Sequence, residues 1–151
     1  MKKCLLILGL LVSLTTIANA QTEEKEVEQA IASLFEGMKT KNQELLEGAF
    51  LETAIMQTTI SGENGATVTS NTVKDFINRI ATTPDNTILD ERILGYQIRI
   101  DGSMASAWTP YEFYINEGFS HCGVNSFQLV KTSEGWKICY VIDTRRKEGC
   151  K

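Results

Sequence analysis

The chain is poor in the residues that most often announce a reaction. Its 151 residues include one histidine, His121, and two prolines. A single imidazole cannot build a metal site, and the four cysteines show no C-x-x-C spacing to replace it, so neither metal nor cofactor is expected. No glycine-rich phosphate loop and no G-x-S-x-G nucleophile elbow occur. A basic stripe is also missing. The formal charge is −4, and it becomes two units more negative if Lys2 and Lys3 are removed, which excludes nucleic acid as a natural partner. There is no internal repeat and no low-complexity tract. The longest apolar run, Cys4 to Ile17, falls short of the roughly 18–25 residues that span a bilayer, so no membrane span is expected.

What is present begins with that run. Lys2-Lys3, the apolar stretch and Ala18-Asn19-Ala20 follow the basic, hydrophobic, A-x-A order of a secretory signal, with cleavage expected between Ala20 and Gln21. The expected organisation is therefore a signal peptide over 1–20 and one domain over 21–151, exported to the periplasm or beyond. A lipid anchor needs a cysteine at the cleavage point, and Cys4 lies too far upstream. Three cysteines remain, Cys122, Cys139 and Cys150, in a compartment where disulfides persist. An odd count allows one bridge and one spare thiol.

The spacing of Val27, Ile31, Leu34, Phe35 and Met38 predicts an amphipathic helix over 23–39, with Thr22 able to cap it. A short helix over 42–48, a strand over 54–60, a turn at 61–65 and a third helix carrying Val73, Phe76, Ile77 and Ile80, capped by Ser70 or Asn71, follow in order. Everything after Ile88 reads as strand, with turns at Asp101-Gly102, Glu117-Gly118 and Ser133-Glu134-Gly135. Helices first and long strands after imply an α+β fold, a curved antiparallel sheet wrapped on N-terminal helices.

The pleat assigns faces. Successive side chains on a strand point opposite ways, so His121 goes inward with Asn125 and Phe127 while Cys122 goes outward. They cannot act as a nucleophilic pair, because a base must lie within hydrogen-bond reach of its nucleophile.

The tract WTPYEFYINEGFSHCGVNSFQLVKTSEGWKICYVIDTRRKEGC, Trp108 to Cys150, resembles exported bacterial proteins of the nuclear-transport-factor-2-like superfamily that carry the label "putative lumazine-binding". The helix-first order and the G-W-K-I near the end resemble that superfamily too. The resemblance implies a cone-shaped α+β roll whose curved sheet and long first helix enclose a pocket, often with dimerisation through the outer sheet face. The superfamily includes ketosteroid isomerase, scytalone dehydratase and polyketide cyclases as well as members without catalysis. The catalytic Asp/Tyr and Asp/His sets of those enzymes have no match here, so none of their residues is carried over.

Three functions follow as expectations. The first is non-catalytic binding of a small apolar or aromatic molecule by Tyr96, Trp108, Tyr114, Asn125 and Tyr140. The second is a cofactor-independent lyase or isomerase. It pairs Glu112 with His121, set diagonally across a hairpin that turns at Glu117-Gly118, and it needs a bulge near Thr109-Pro110 to bring Glu112 inward. The third is a dimeric adaptor working through its outer sheet face. A last hairpin with Lys131 opposite Trp136 would set Leu129 against Ile138, Phe127 against Tyr140 and Cys122 opposite position 145. Cys150 can then fold back onto Cys122, leaving Cys139 reduced.

Overall fold

A computed structural model describes residues 2–150, with side chains described from Gln21 onward. The expected signal peptide, residues 1–20, lies outside the described side chains. Helix α1 (Lys2–Thr40) continues through Thr22, which is therefore not its cap. Its buried stripe is Val27, Ile31, Leu34 and Met38, the spacing anticipated from the sequence. Helix α2 (Gln43–Ala49) is capped by Asn42, whose side chain accepts from the Leu45 N–H. Helix α3 (Val73–Ala81) is capped by Thr72 instead of Ser70 or Asn71. Those two residues belong to strand β2 (Thr67–Thr72), a strand that the sequence pattern does not announce.

Strands β1 (Phe50–Ile60), β2, β3 (Leu89–Ile93), β4 (Gln97–Asp101), β5 (Met104–Ile115), β6 (Gly118–Thr132) and β7 (Gly135–Thr144) form one sheet in the order β2-β1-β7-β6-β5-β3, with β4 continuing the β3 edge along β5. The expected α+β architecture is present, with two corrections. Strand β1 runs parallel to β7, and the rest of the sheet together with α3 lies between them in the chain. The sheet is curved but does not close, since β2 and the β3/β4 pair occupy separate edges. Helix α1 packs against β7, β3 and β4 across the concave face. There Ile31 and Leu34 meet Ala105, Ala107, Phe127, Leu129 and Ile138 in a dry core. Among the described residues no helix is long and apolar enough to cross a membrane.

Three irregularities decide which side chains face inward. Strand β5 keeps unbroken parity, with Ala105, Ala107, Thr109 and Tyr111 all buried. The bulge expected near Thr109-Pro110 lies on the neighbouring strand instead. Residues 94–96 loop out between β3 and β4, and the Leu94 N–H donates to the Pro110 carbonyl at 2.8 Å. In the β5–β6 hairpin Ser120 bulges on β6, so Tyr114 faces Phe119 while Phe113 faces His121; the turn itself is Asn116-Glu117, one residue earlier than expected, and both residues have positive φ, 49° and 64°. Such a type I′ turn suits the right-handed twist of a hairpin, and asparagine tolerates that backbone region well. The Asn116 side chain also accepts from the Ile88 N–H at 2.7 Å, tying the turn to β3.

The third irregularity is in the last hairpin. Lys131 opposes Trp136 and Leu129 opposes Ile138 as expected, but Cys139 bulges, so Gln128 faces Tyr140 and Asn125 faces Asp143. One extra residue moves Tyr140 and Ile142 outward and turns Val141 and Asp143 inward. The same shift makes Arg146, not position 145, the partner of Cys122, through a bridge of two 2.9 Å backbone bonds. The flexible tail absorbs that difference. Cys122 and Cys150 are disulfide-bonded with Cα atoms 5.9 Å apart, and Cys139 is a free thiol.

Candidate functional site: the cavity at the open end of the sheet

The concave face changes character along its length. Beyond Phe127 on β6 the inward residues become Asn125, Gly123 and His121, and on β7 they become Val141 and Asp143. Here only the last turns of α1 reach, and α3 takes over as the main cover. A cavity of about 530 Å³ opens between Met38, Phe76, Arg79, Ile80 and Pro84 on one side and Leu89, Glu91, Tyr111, Phe113, His121, Asp143 and Arg145 on the other. A recess of about 90 Å³ adjoins it, reaching Asn125, Phe127 and Thr58, and shares the walls Met38, Phe76, Arg79, Glu91, Asp143 and Arg145. Grooves of about 520 and 650 Å³ also flank α2. What sets this cavity apart is the convergence of polar side chains from α3, four strands and the C-terminal tail onto an otherwise apolar hollow.

Glu91 sits at the centre. It comes from β3, opposite Phe113, and accepts from the Asn125 amide at 2.7 Å. Burial pushes its carboxyl up to about 7, reinforced by the nearby Asp143 charge and opposed by Asn125 and Arg145. Asp143 is 8 % exposed and is held by the Arg145 Nε at 2.7 Å, while Arg145 also donates to the Thr58 hydroxyl at 3.3 Å. The Tyr111 hydroxyl donates to the Thr144 carbonyl at 3.0 Å and lies 3.4 Å from the Asp143 carboxylate. Desolvation, with the Glu91 and Asp143 charges behind it, raises the Tyr111 phenol, so it remains a neutral donor.

His121 packs edge-on to Tyr111 at 5.8 Å and tilted over Phe113 at 5.0 Å, with the Ser120 hydroxyl 3.1 Å from its Nδ1. Burial and then the Arg145 charge lower its pKa, so the ring is neutral at pH 7.

The tail must approach β6 closely to deliver Arg145. A Cβ placed on Gly123 would meet the Thr144 carbonyl oxygen at 1.8 Å and the Tyr111 ring at 2.9 Å, so only glycine fits. The Cys122–Arg146 bridge and the Cys122–Cys150 disulfide then pin the following residues. His121 and Cys122 point to opposite faces, one into the cavity and the other into the disulfide.

Of the residues expected to form a site, His121 and Asn125 reach this cavity. Glu112 does not. It opposes Cys122 on the convex face and accepts from the Tyr114 hydroxyl at 2.9 Å. The unbroken parity of β5 and a bulge at Ser120 on β6, across which Phe113 faces His121 while Tyr114 faces Phe119, put Tyr111 and Phe113 inward in its place, so no Glu112–His121 pair exists. Tyr114 lies on the convex face with Arg92 stacked on its ring at 4.0 Å. Trp108 is 49 % exposed on that face. Tyr140, turned out by the Cys139 bulge, donates to the Gln57 side chain at 2.6 Å. Tyr96 packs against the α1 end of the core, away from the cavity. Among the described residues no group of three or more histidines, cysteines and carboxylates is placed to hold a metal ion.

Glu91, Tyr111, Asp143 and Arg79 were not anticipated, while Arg145 belongs to the mixed-charge run Asp143 to Glu148, where an anion-binding role for Arg145 and Arg146 competes with a solvated, self-paired terminus. Asp90-Glu91-Arg92 falls within the strand expected after Ile88, and nothing in its spacing marks the middle residue as inward. Asp143 would have emerged from the alternation had the bulge at Cys139 been visible.

The sequence over residues 22–140 matches the family described as "Putative lumazine-binding". The chain belongs to that family. A search of curated proteins finds no match. Among solved structures, a function-unknown protein from Mycobacterium tuberculosis superposes with a TM-score of 0.69 at 13% identity, covering 86% of this chain and 75% of that one. A protein described as a putative dehydratase of the NTF2-like family from Streptomyces avermitilis gives 0.65 at 16% identity, covering 84% and 98%. An NTF2-like superfamily protein from Salmonella enterica gives 0.65 at 16%, covering 86% and 95%. At these identities the likeness establishes the nuclear-transport-factor-2-like fold and nothing finer.

Proposed function

We propose that this member of the lumazine-binding-like family is an exported small-molecule-binding protein whose ligand occupies the cavity between α3 and the concave face of β3, β5, β6 and β7. The observation that carries the reading is the convergence of Glu91, Asn125, Tyr111, His121, Asp143 and Arg145 on a hollow otherwise lined by Met38, Phe76, Leu89 and Phe113. An apolar body and a small polar edge on the ligand match that division. The Cys122–Cys150 disulfide and the A-x-A signal support export to an oxidising compartment.

Native mass spectrometry of the protein purified from its own envelope or medium tests this. A retained small molecule that is lost in Ile80→Trp, which fills the cavity, is the expected result. Retention undiminished by Ile80→Trp would contradict it.

A second reading, proton transfer in a cofactor-independent lyase or isomerase, is favoured by Glu91 and His121 lining the same cavity, where burial pushes the carboxyl up to about 7 and lowers the pKa of the imidazole. Glu91, not Glu112, is then the base. A Glu91→Gln variant that binds ligand but loses turnover selects this reading. Dimerisation through the convex face, where Met104 and Trp108 are 55 % and 49 % exposed, is compatible with both readings and is tested by sedimentation of Trp108→Glu.

A further inference from the structure

Within the cavity the balance of fixed charge points to the ligand's polar edge. Asp143 is matched by Arg145 at 2.7 Å. Glu91 is held by an amide, with no cation bonded to it. Arg79 lines both the main cavity and the recess, and among the described residues its guanidinium has one hydrogen-bond partner, the neutral Asn71 side chain at 3.3 Å. Among the described residues no carboxylate lies within ion-pair distance of it. Arg79 is placed there by the same helical spacing that puts Phe76 and Ile80 on the sheet, three residues before it and one after. Arg79 is exposed, so its remaining donors face solvent at the edge of an apolar hollow, where a guanidinium offers a planar fork to an oxyanion.

We propose that the ligand is an organic anion with a flat apolar body, its carboxylate or equivalent oxyanion bound by Arg79 and its body lying between Phe76 and Phe113. This inference rests on the cavity being the binding site. It deepens that reading by naming the ligand's charge.

A consequence follows for Glu91. The groups facing it are Asn125 and His121 from β6, Tyr111 from β5, Asp143 from β7, Arg145 from the tail and Arg79 from α3. Tyr111 and His121 are neutral at pH 7, and Asp143 and Arg145 offset one another. The ionisation of Glu91 therefore decides whether the chamber carries an excess positive charge or none. An incoming anion favours protonated Glu91, so binding takes up a proton and weakens as the pH rises through about 7.

Calorimetric titration of the protein with 2-naphthoate and with its uncharged counterpart 2-naphthamide tests the proposal. Naphthoate should bind at least about tenfold more tightly at pH 6, a difference on the order of 1.4 kcal/mol. Its affinity should fall several-fold at pH 8 while that of naphthamide stays constant. Arg79→Gln should abolish the preference and leave naphthamide binding intact, and Arg79→Lys should restore part of it. Equal affinity for the two probes, or a preference that survives Arg79→Gln, overturns the anion assignment and leaves the cavity reading standing. Failure of both probes to bind overturns the cavity reading and the proposal together.

Discussion

Two halves of one concave surface, built by the same strands, serve opposite ends. Toward Leu129 the inward residues of β5, β6 and β7 are Ala105, Ala107, Leu129 and Ile138, closed over by the Val27, Ile31 and Leu34 stripe of α1. Toward His121 the same strands contribute Tyr111, Asn125 and Asp143, and the cover passes to α3 and the disulfide-pinned tail. The first half is filled and the second is hollow. The change occurs within a few residues on each strand, where the β3/β4 bulge and the Cys139 bulge fall. A bulge re-aims the side chains beyond it at the cost of one extra residue, so a polar chamber can be added to a sheet whose core is set elsewhere.

That contrast can be broken most severely at the dry end. Leu129→Ala removes a side chain with no solvent exposure and should cost about 2–5 kcal/mol, read from urea unfolding. Ligand affinity in the folded variant should be unchanged. Next comes the tail. Cys150→Ser opens a 28-residue loop and should cost about 2–4 kcal/mol. Amide exchange should accelerate around residues 121–123 while residues 127–129 stay protected, because only the wet half depends on the strap.

Glu91 gives a third test, with its sign fixed by direction of shift. Its carboxyl rises from an ordinary 4.5 to about 7 on folding. The folded state therefore holds the proton more tightly, and stability is full below about 4.5 and falls as the pH rises toward 7. Up to about 3 kcal/mol is at stake by that linkage. Glu91→Gln should flatten this part of the stability–pH curve, measured by urea unfolding at pH 4.5 and pH 8. The smallest effect belongs to the boundary between the halves. Thr109 is fully buried and its hydroxyl has no hydrogen-bond partner. Thr109→Val should be neutral or stabilising by less than about 1 kcal/mol in thermal unfolding, since an apolar group of the same shape replaces an unpaired one.

Much of the dry half was legible in the sequence. The α1 stripe, the inward alanines of β5 and the pairing of Leu129 with Ile138 all follow from periods of 3.6 and 2. The parity of His121 against Cys122, and with it the Cys122–Cys150 bridge, also follows, because alternation holds within an unbroken stretch of strand. The wet half was not legible for the complementary reason. Its residues are set by bulges that shift parity by one, at Leu94 to Tyr96, at Ser120 and at Cys139. Each shift is invisible where apolar residues run consecutively, as in Tyr140-Val141-Ile142. Glu112 was assigned inward on a parity the hairpin does not keep, and Glu91 was passed over because its neighbours Asp90 and Arg92 are charged. Strand β2 was missed because TVTSNT carries no apolar alternation to bury.

The account turns on Glu91 lying in a desolvated chamber that a ligand enters. A pH titration of its side-chain carboxyl by ¹³C NMR, assigned through Glu91→Gln, measures this most directly. A midpoint near 7 that moves upward when 2-naphthoate is added is the predicted result. A midpoint near 4.5 that naphthoate leaves in place would contradict it.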